Sequence, residues 1–389
     1  SYYIKRENVM KRIYNYLKKD AVLTISWVLA IISMFFIKPD KAYAGYIDWR
    51  SLGILWSLMI ITKGYMQNGI FEKIGHALLT RTRKMWQLIA VLVGLNFFSS
   101  MIITNDVSLI TFVPFAIMML KQCGRQELMI PVVVLQTIAA NLGSMLTPIG
   151  NPQNLYLYGL AGTGIGEFIM WLLPYTIASA LLLVISILLI KNKNEIICIE
   201  DTDSEASHNT SVPRVMAYSV LFILALLVVA RVLTWYILAA AVLITVLLLE
   251  KNVLAKADYA LLLTFIGFFI FTGNMGRVEP VAHFLAGIVN GRELEVGIIT
   301  SQCISNVPAA LLLSEFTDNI KNLAIGVNIG GLGTLIASMA SLISYKLYAN
   351  EVPEKKGKYF AVFTVYNIIF LVVLYVSVSY THLTLPTIR

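Results

Sequence analysis

Long apolar runs separated by short polar loops fill most of this chain, and polar, helix-breaking residues interrupt four of the runs. The runs are Leu-rich and of helical length, with no ladder of short alternating segments, so they predict transmembrane helices and not a barrel. Nine crossings are expected, at about residues 21–37, 50–66, 127–150, 165–190, 214–231, 234–250, 258–275, 321–347 and 357–380. Two further runs, 85–120 and 293–316, carry Thr104-Asn105-Asp106 and Ser305-Asn306-Val307 in their middles. Each reads as a helical hairpin that enters and leaves on one side, with the tripeptide at its tip. The second run is too short for two full crossings; an ordinary pair of spans is the alternative for the first.

The other two interruptions form a second pair. Residues 141–158 align with residues 328–345, sharing Asn141/Asn328, Gly143/Gly330, Thr147/Thr334, Ile149/Ile336, Leu155/Leu342 and Tyr158/Tyr345. Polar, broken backbone at bilayer depth is tolerated only where it is buried in protein or lines a cavity. Breaks at matching places in two halves point to a secondary transporter's binding site. Asp48 to Thr62 and Asp258 to Thr272 repeat the same spacing more faintly. The fold class expected is an all-α polytopic membrane protein of two inverted repeats, each with a re-entrant helical hairpin and a broken transmembrane helix. The expected division is an N-terminal repeat 1–190, a cytoplasmic linker 191–213, a linking span 214–233, a C-terminal inverted repeat 234–380 and a tail 381–389. The single linking span is what would invert the second copy.

Composition agrees. The chain is 58% hydrophobic and 13% charged with a mean hydropathy of +0.76, against about 25% charge in a soluble domain. The net charge of +8 does not point to nucleic acid, because the bases collect in loops. Arg81, Arg83, Lys84, Lys121, Arg125, Lys191, Lys193, Arg214, Lys346, Lys355, Lys356 and Lys358 fall on one side when the basic N-terminus is placed inside. That bias gives a cytoplasmic N-terminus and an outer C-terminus in a bacterial inner membrane. Residues 1–20 are basic and amphipathic, and 21–37 read as a retained span rather than a signal peptide. Cys123, Cys198 and Cys303 lie far apart and carry no metal or disulfide spacing. No nucleotide-binding loop, His-Glu-x-x-His or Gly-x-Gly-Asp pattern is present, so neither ATP-driven transport nor a membrane protease is expected. No cofactor is expected beyond Na⁺ as a coupling ion.

A hairpin tip at mid-membrane leaves free N–H groups on one side and free C=O groups on the other. The first attract anionic groups and the second can coordinate a cation. Residues 147–154 should unwind the third crossing, since Pro148 and Pro152 remove helical hydrogen bonds and Gly150 permits unusual dihedrals. The second copy keeps Thr334, Ser338 and Ser341, with Gly330, Gly331 and Gly333 in place of proline. Close packing of helices is the competing explanation for these glycines. Asp106 reads either as a cation ligand or proton carrier, or as a helix N-cap. Lys63 would attract an anion or snorkel to the interface. Gln136 and Gln302 are expected to bond between helices. The four histidines fall outside the expected spans, and Trp49, Trp86 and Trp235 suit interface belts.

Thr104-Asn105-Asp106, Asn141-Leu-Gly-x-x-x-Thr-Pro-Ile-Gly-Asn-Pro, Ser305-Asn306-Val307-Pro308 and Asn328-Ile-Gly-Gly together resemble the ion transporter superfamily. That superfamily groups arsenite permeases, proton-type sodium antiporters and divalent-anion or citrate carriers; the nearest resemblance is to bacterial permeases of the arsenite-permease and citrate-carrier type. In dicarboxylate carriers the tip resembles Ser-Asn-Thr in both halves, whereas Asp106 and Val307 occupy the third positions here. The resemblance implies a small anionic substrate bound by Thr104, Asn105, Ser305 and Asn306, and the broken segments add Asn151, Asn154, Ser338 and Ser341 as substrate-binding candidates. Together with the residues read above, cation coupling is expected at Asn105, Asp106, Asn141, Gly143, Thr147, Asn306, Asn328, Gly330 and Thr334. The resemblance also implies a homodimer in the lipid bilayer and an elevator-like motion. The function expected is a secondary transporter of a carboxylate or inorganic oxyanion driven by Na⁺ or H⁺. The alternatives are arsenite or antimonite efflux, a Na⁺/H⁺ antiporter using Asp106, and a channel.

Overall fold

The computed structural model describes residues 21–79, 82–190, 195–196 and 211–384. The basic segment 1–20, most of the 191–213 linker and the tail beyond 384 fall outside these. Helices dominate, and among the described residues no strand forms beyond an isolated bridge between Lys84 and Ile196. The helices, in order, are α1 (Ala21–Phe36), α2 (Trp49–Gln67), α3 (Ile70–Leu79), α4 (Met85–Ile103), α5 (Asn105–Gln122), α6 (Met129–Ser144), α7 (Pro152–Ala161) and α8 (Ile165–Leu188). They continue as α9 (Val212–Val229), α10 (Trp235–Leu249), α11 (Tyr259–Gly276), α12 (Glu279–Val289), α13 (Glu293–Ile304), α14 (Asn306–Leu313), α15 (Ile320–Ile329), α16 (Met339–Glu351) and α17 (Lys356–Thr384).

Six of these segments are long and apolar enough to cross a membrane: Met85–Ile103, Gln126–Ser144, Ile165–Leu188, Val212–Val229, Tyr259–Gly276 and Pro353–Val378. This is a polytopic helical membrane protein. α1 and α10 are apolar but shorter, at 16 and 15 residues. α2 has 19 residues and carries Arg50 and Lys63. The run expected at 127–150 holds α6 and a break, with α7 following outside it, and the run expected at 321–347 holds α15, a break and most of α16. The physical reason is a restart of the chain. Asn151 accepts the Asn154 N–H as an N-cap, and Pro152 occupies the first helical position, where its missing N–H costs nothing. Unwinding therefore covers 145–151 and not 147–154, which puts Pro152 and Asn154 inside α7. The final helix runs to Thr384, past the expected limit of 380.

Packing sorts the helices by depth. Every residue of α6 except Pro131 is buried, because α4, α5, α8, α16 and α17 all pack on it. α8, α9 and α17 are mostly exposed apolar surface, with Leu181 60% and Leu188 52% exposed. Such an exterior suits lipid and not water.

The order α2–α3–α4–α5–α6–α7–α8 is matched by α11–α12–α13–α14–α15–α16–α17. Asp48 caps α2 by accepting the Ser51 N–H at φ −78° and ψ 83°, and Asp258 caps α11 by accepting the Leu261 N–H at φ −81° and ψ 82°. α1 packs on α11 while α10 packs on α2, and α7 packs on α14 and α15 while α16 packs on α5 and α6. Each half thus lends helices to the other.

Candidate functional site

Two non-glycine residues mark the interruptions between α4 and α5 and between α13 and α14. Thr104 has φ 72° and ψ 151°, and Ser305 has φ 77° and ψ 154°. This region is nearly reserved for glycine and costs a side-chain-bearing residue about 1–3 kcal/mol. Arg231 is the third non-glycine residue with positive φ among the described residues. The same backbone conformation is therefore forced on two different residues at aligned positions. Just past each tip the backbone is held by its own half's other break: the Asn105 N–H donates to Gly150 O at 3.2 Å and the Asn306 N–H donates to Ala337 O at 2.9 Å. Gly150 and Ala337 are themselves aligned.

The side chains then cross between halves. Asn328 Oδ1 accepts from Asn151 Nδ2 at 3.0 Å, and Asn328 Nδ2 donates to Asn154 Oδ1 at 2.6 Å. In the other direction, Asn141 Oδ1 accepts from Ser338 Oγ at 3.0 Å, and Asn141 Nδ2 donates to Ser341 Oγ at 3.3 Å. Asn151 aligns with Ser338 and Asn154 with Ser341, so the two sets are the same pattern executed twice. Asn105 joins it, donating from Nδ2 to Asn141 Oδ1 at 3.2 Å. The Asn306 amide lies instead against Gly331, where an added Cβ would stand 2.8 Å from Nδ2. The threonines also match: Thr147 Oγ1 donates to Met101 O at 2.5 Å and Thr334 Oγ1 donates to Gln302 O at 3.3 Å.

The structure thus brings together Asn105, Asn141, Asn151, Asn154, Asn328, Ser338 and Ser341, all buried, with Ser305 and Asn306 buried at the second tip. Thr104, Asp106 and Thr147 are half-buried and Thr334 is exposed. Asp106 is not an N-cap. Thr104 holds that position, and Asp106 sits in the first turn with its N–H bonded to Asn105 Oδ1. Gly143 and Gly330 are contact points between helices. A Cβ on Gly143 would stand 2.1 Å from Phe97 O, and one on Gly330 would stand 2.9 Å from both Ile298 Cα and Ser301 Oγ.

Gln136 and Gln302 bridge segments. Gln136 Nε2 donates to Leu92 O and Phe112 O. Gln302 Nε2 donates to Gly330 O and Leu332 O while its Oε1 accepts the Thr334 N–H. Arg231 anchors the far end of α7 through Gly162 O and Tyr158 O.

Sequence reasoning left one residue unassigned. Gln153 is 1% exposed, and neither its Nε2 nor its Oε1 has a partner. A buried carboxamide with both ends unpaired is rare and calls for an explanation. The signal available in the sequence was its place inside Asn-Pro-Gln-Asn.

Among the described residues no cluster of three or more His, Cys, Asp or Glu could hold a metal ion. The chemistry on offer is that of neutral amides, hydroxyls and helix ends, with Asp106 and Lys63 as the nearby charges. Such groups bind and release ions or polar solutes without covalent steps.

Comparison with known proteins places the chain among transporters. An uncharacterized transporter of Methanocaldococcus jannaschii is 32% identical over 356 residues, covering 91% of this chain and 95% of that protein. The Escherichia coli inner membrane protein YbiR is 29% identical over 343 residues, covering 83% and 87%. A silicon efflux transporter of Oryza sativa is 31% identical over 143 residues, covering 36% and 29%. The citrate transporter family, CitMHS, matches residues 9–321. With that match spanning most of the chain, the protein belongs to the CitMHS citrate transporter family, a membrane transporter of the ion transporter superfamily.

Proposed function

We propose that the protein is a secondary active transporter of a small anion, a carboxylate such as citrate or a dicarboxylate or an inorganic oxyanion, coupled to Na⁺ or H⁺. The observation that carries this reading is the twofold exchange of amide and hydroxyl bonds between the two broken segments, set beside two strained tips. In this reading, residues 1–190 and 234–380 are inverted repeats joined by the linker 191–213 and the span 214–233, with about nine crossings. The two tips are re-entrant hairpins. The arms of the second, 12 and 8 residues, reach only ~18 and ~12 Å at 1.5 Å per residue, well short of a ~30 Å hydrocarbon core. The arms of the first, 19 and 18 residues, are long enough to cross, so its assignment rests on the matched backbone at Thr104 and Ser305.

Substrate sits between the helix N-termini at Asn105, Pro152, Asn306 and Met339, whose helix dipoles favour negative charge. Cations sit at the opposing carbonyl ends. The closed hydrogen-bond network is one state of an alternating-access cycle, and opening exchanges amide–amide bonds for amide–ligand bonds. The protein lies in a bacterial inner membrane as a homodimer, N-terminus inside and C-terminus outside.

A second reading is export of a neutral inorganic oxyacid such as arsenite or antimonite. It is favoured by the uncharged character of the network and by the silicon efflux relative. The deciding experiment is citrate uptake into proteoliposomes with an inward Na⁺ gradient, an inward H⁺ gradient, or neither. Gradient-dependent uptake that is abolished in Asn105→Ala and Asn306→Ala is the expected result. Wild-type rates in both variants refute the site, and gradient-independent silence toward citrate but not arsenite favours the second reading.

A further inference from the structure

A wide apolar space lies away from the amide network. A cavity of about 770 Å³ opens between α2 and α9 on one side and α3, α4 and α5 on the other. Its walls include Tyr65, Phe71, Gly94, Phe98 and Phe222. Three hydroxyls reach it and all are already committed. Tyr65 Oη donates to Ser219 Oγ at 3.0 Å, Ser219 Oγ donates to Val215 O at 2.9 Å, and Ser99 Oγ pairs with Ser108 Oγ at 2.8 Å. A polar solute would therefore lose its hydration and gain no partner here. A substrate anion does not fit this cavity; a hydrocarbon does.

The mouth says where the hydrocarbon comes from. Phe98 and Ile102 are 66% and 50% exposed along it, so the cavity opens sideways toward lipid. Its roof is α3, an amphipathic helix that turns Ile70, Phe71, Ile74 and Leu78 toward the cavity and leaves Glu72, Lys73 and His76 exposed. A helix of this pattern lies in the membrane surface. Three exposed bases belong to α3 and the segment that joins it to α4, namely Lys73, Arg83 and Lys84, and none is ion-paired among the described residues. Apolar depth with a cationic rim matches an acyl chain attached to an anionic headgroup.

We propose that this cavity is a binding site for one acyl chain of an anionic phospholipid, drawn from the leaflet on which α3 rests, with Lys73, Arg83 and Lys84 facing its phosphate. Ile102 and Ile103, the last residues before Thr104, form part of the wall, so the bound chain supports the segment that carries the first tip. The site requires that the helices cross a bilayer and is independent of which substrate is carried.

Gly94 gives a clean test, because a Cβ there meets no atom within 4 Å. Protein equilibrated in bilayers of mixed phosphatidylethanolamine and phosphatidylglycerol is extracted in mild detergent, and retained lipid is measured by native mass spectrometry. The wild type should keep one phospholipid per chain, enriched in phosphatidylglycerol. Gly94→Phe, which fills the cavity, should lower retention by about tenfold or more. Gly94→Ala should not, nor should Gly166→Phe on lipid-facing α8, where an added Cβ also meets open space. Lys73→Glu combined with Arg83→Glu should keep the adduct and remove the preference for phosphatidylglycerol. If Gly94→Phe does not fold, Ala90→Phe fills the same wall. A wild type that keeps no phospholipid, or equal retention in the cavity-filled variants, overturns the site. An unchanged headgroup preference after charge reversal overturns the anionic assignment.

Discussion

Asn328 should couple energetically to Asn154 across the two halves. Truncating Asn328 to Ala removes two cross-segment bonds, the 2.6 Å donation to Asn154 Oδ1 and the 3.0 Å acceptance from Asn151 Nδ2. Their consequences differ. Asn151 Nδ2 still reaches Ser144 Oγ at 3.3 Å, so it keeps a partner. Asn154 Oδ1 keeps none, although Asn154 Nδ2 remains bound to Met145 O and Thr147 O and so cannot simply flip its amide. One orphaned acceptor costs about 1–3 kcal/mol and a lost satisfied bond about 1 kcal/mol, which puts Asn328→Ala at about 2–4 kcal/mol destabilised. Within a bilayer, cross-helix bonds measured by double-mutant cycles average about 0.6 kcal/mol and reach about 1.7. The Asn328/Asn154 coupling belongs at the upper end, because the bond is short and both side chains are buried. The aligned pair Asn141/Ser341, at 3.3 Å, should couple more weakly with the same sign. The assay is reversible unfolding in mixed micelles of the four members of each cycle. Additivity of both cycles within about 0.3–0.5 kcal/mol refutes the claim that these amides tie the halves together. A larger coupling for Asn141/Ser341 refutes the distance argument.

Three further outcomes follow from the same geometry. Thr104→Gly relieves a positive-φ threonine and should raise stability by up to about 1 kcal/mol, read by thermal unfolding, while lowering transport if the strained tip serves binding. Gly143→Ala drives a Cβ to 2.1 Å from Phe97 O, a backbone clash that α4 cannot yield to without moving. It should cost about 1–3 kcal/mol, against no measurable change for Gly166→Ala. Gln153→Leu removes an unpaired buried amide and should leave stability unchanged or improved while reducing transport. A stability loss above about 1 kcal/mol would show that the amide has a structural partner.

Residues visible as polar intrusions in apolar runs were legible from the sequence. Thr104-Asn105, Ser305-Asn306, Asn141 and Asn328 stand out because amides are costly in lipid, and the alignment of 141–158 with 328–345 needs only spacing. What spacing cannot say is which partner an amide chooses. Asn141 turns to Ser338 and Ser341, and Asn328 to Asn151 and Asn154, because helices exchange between halves. That is a tertiary fact. The helix boundaries near Pro152 slipped for a local reason, since a proline reads as a breaker until an N-cap precedes it. α3 and α12 went unassigned as elements because 10- and 11-residue amphipathic segments carry too little apolar length to register as spans. The glycines divided as packing alone would have it at Gly143 and Gly330, whose missing Cβ atoms let backbones meet.

The two breaks reach one geometry by different means, and the difference has a mechanical consequence. In the first, the turn is built into the chain. Gly150 lies so close to Ser144 that a Cβ would stand 2.0 Å from its carbonyl oxygen, and Pro152 fixes the start of α7. In the second no proline is present, and Gly333 takes φ 103°. The order there comes from outside the break, where Gln302 on α13 holds Gly330 O, Leu332 O and the Thr334 N–H together. The aligned residue on α4 is Met101, which offers only its carbonyl to Thr147. A break held by its own proline keeps its shape when neighbouring helices shift. A break held by a neighbour's side chain is free to change when that neighbour moves. The second break is accordingly the softer of the two, and a change of access that begins by separating α13 from the 330–338 segment costs three hydrogen bonds from one glutamine.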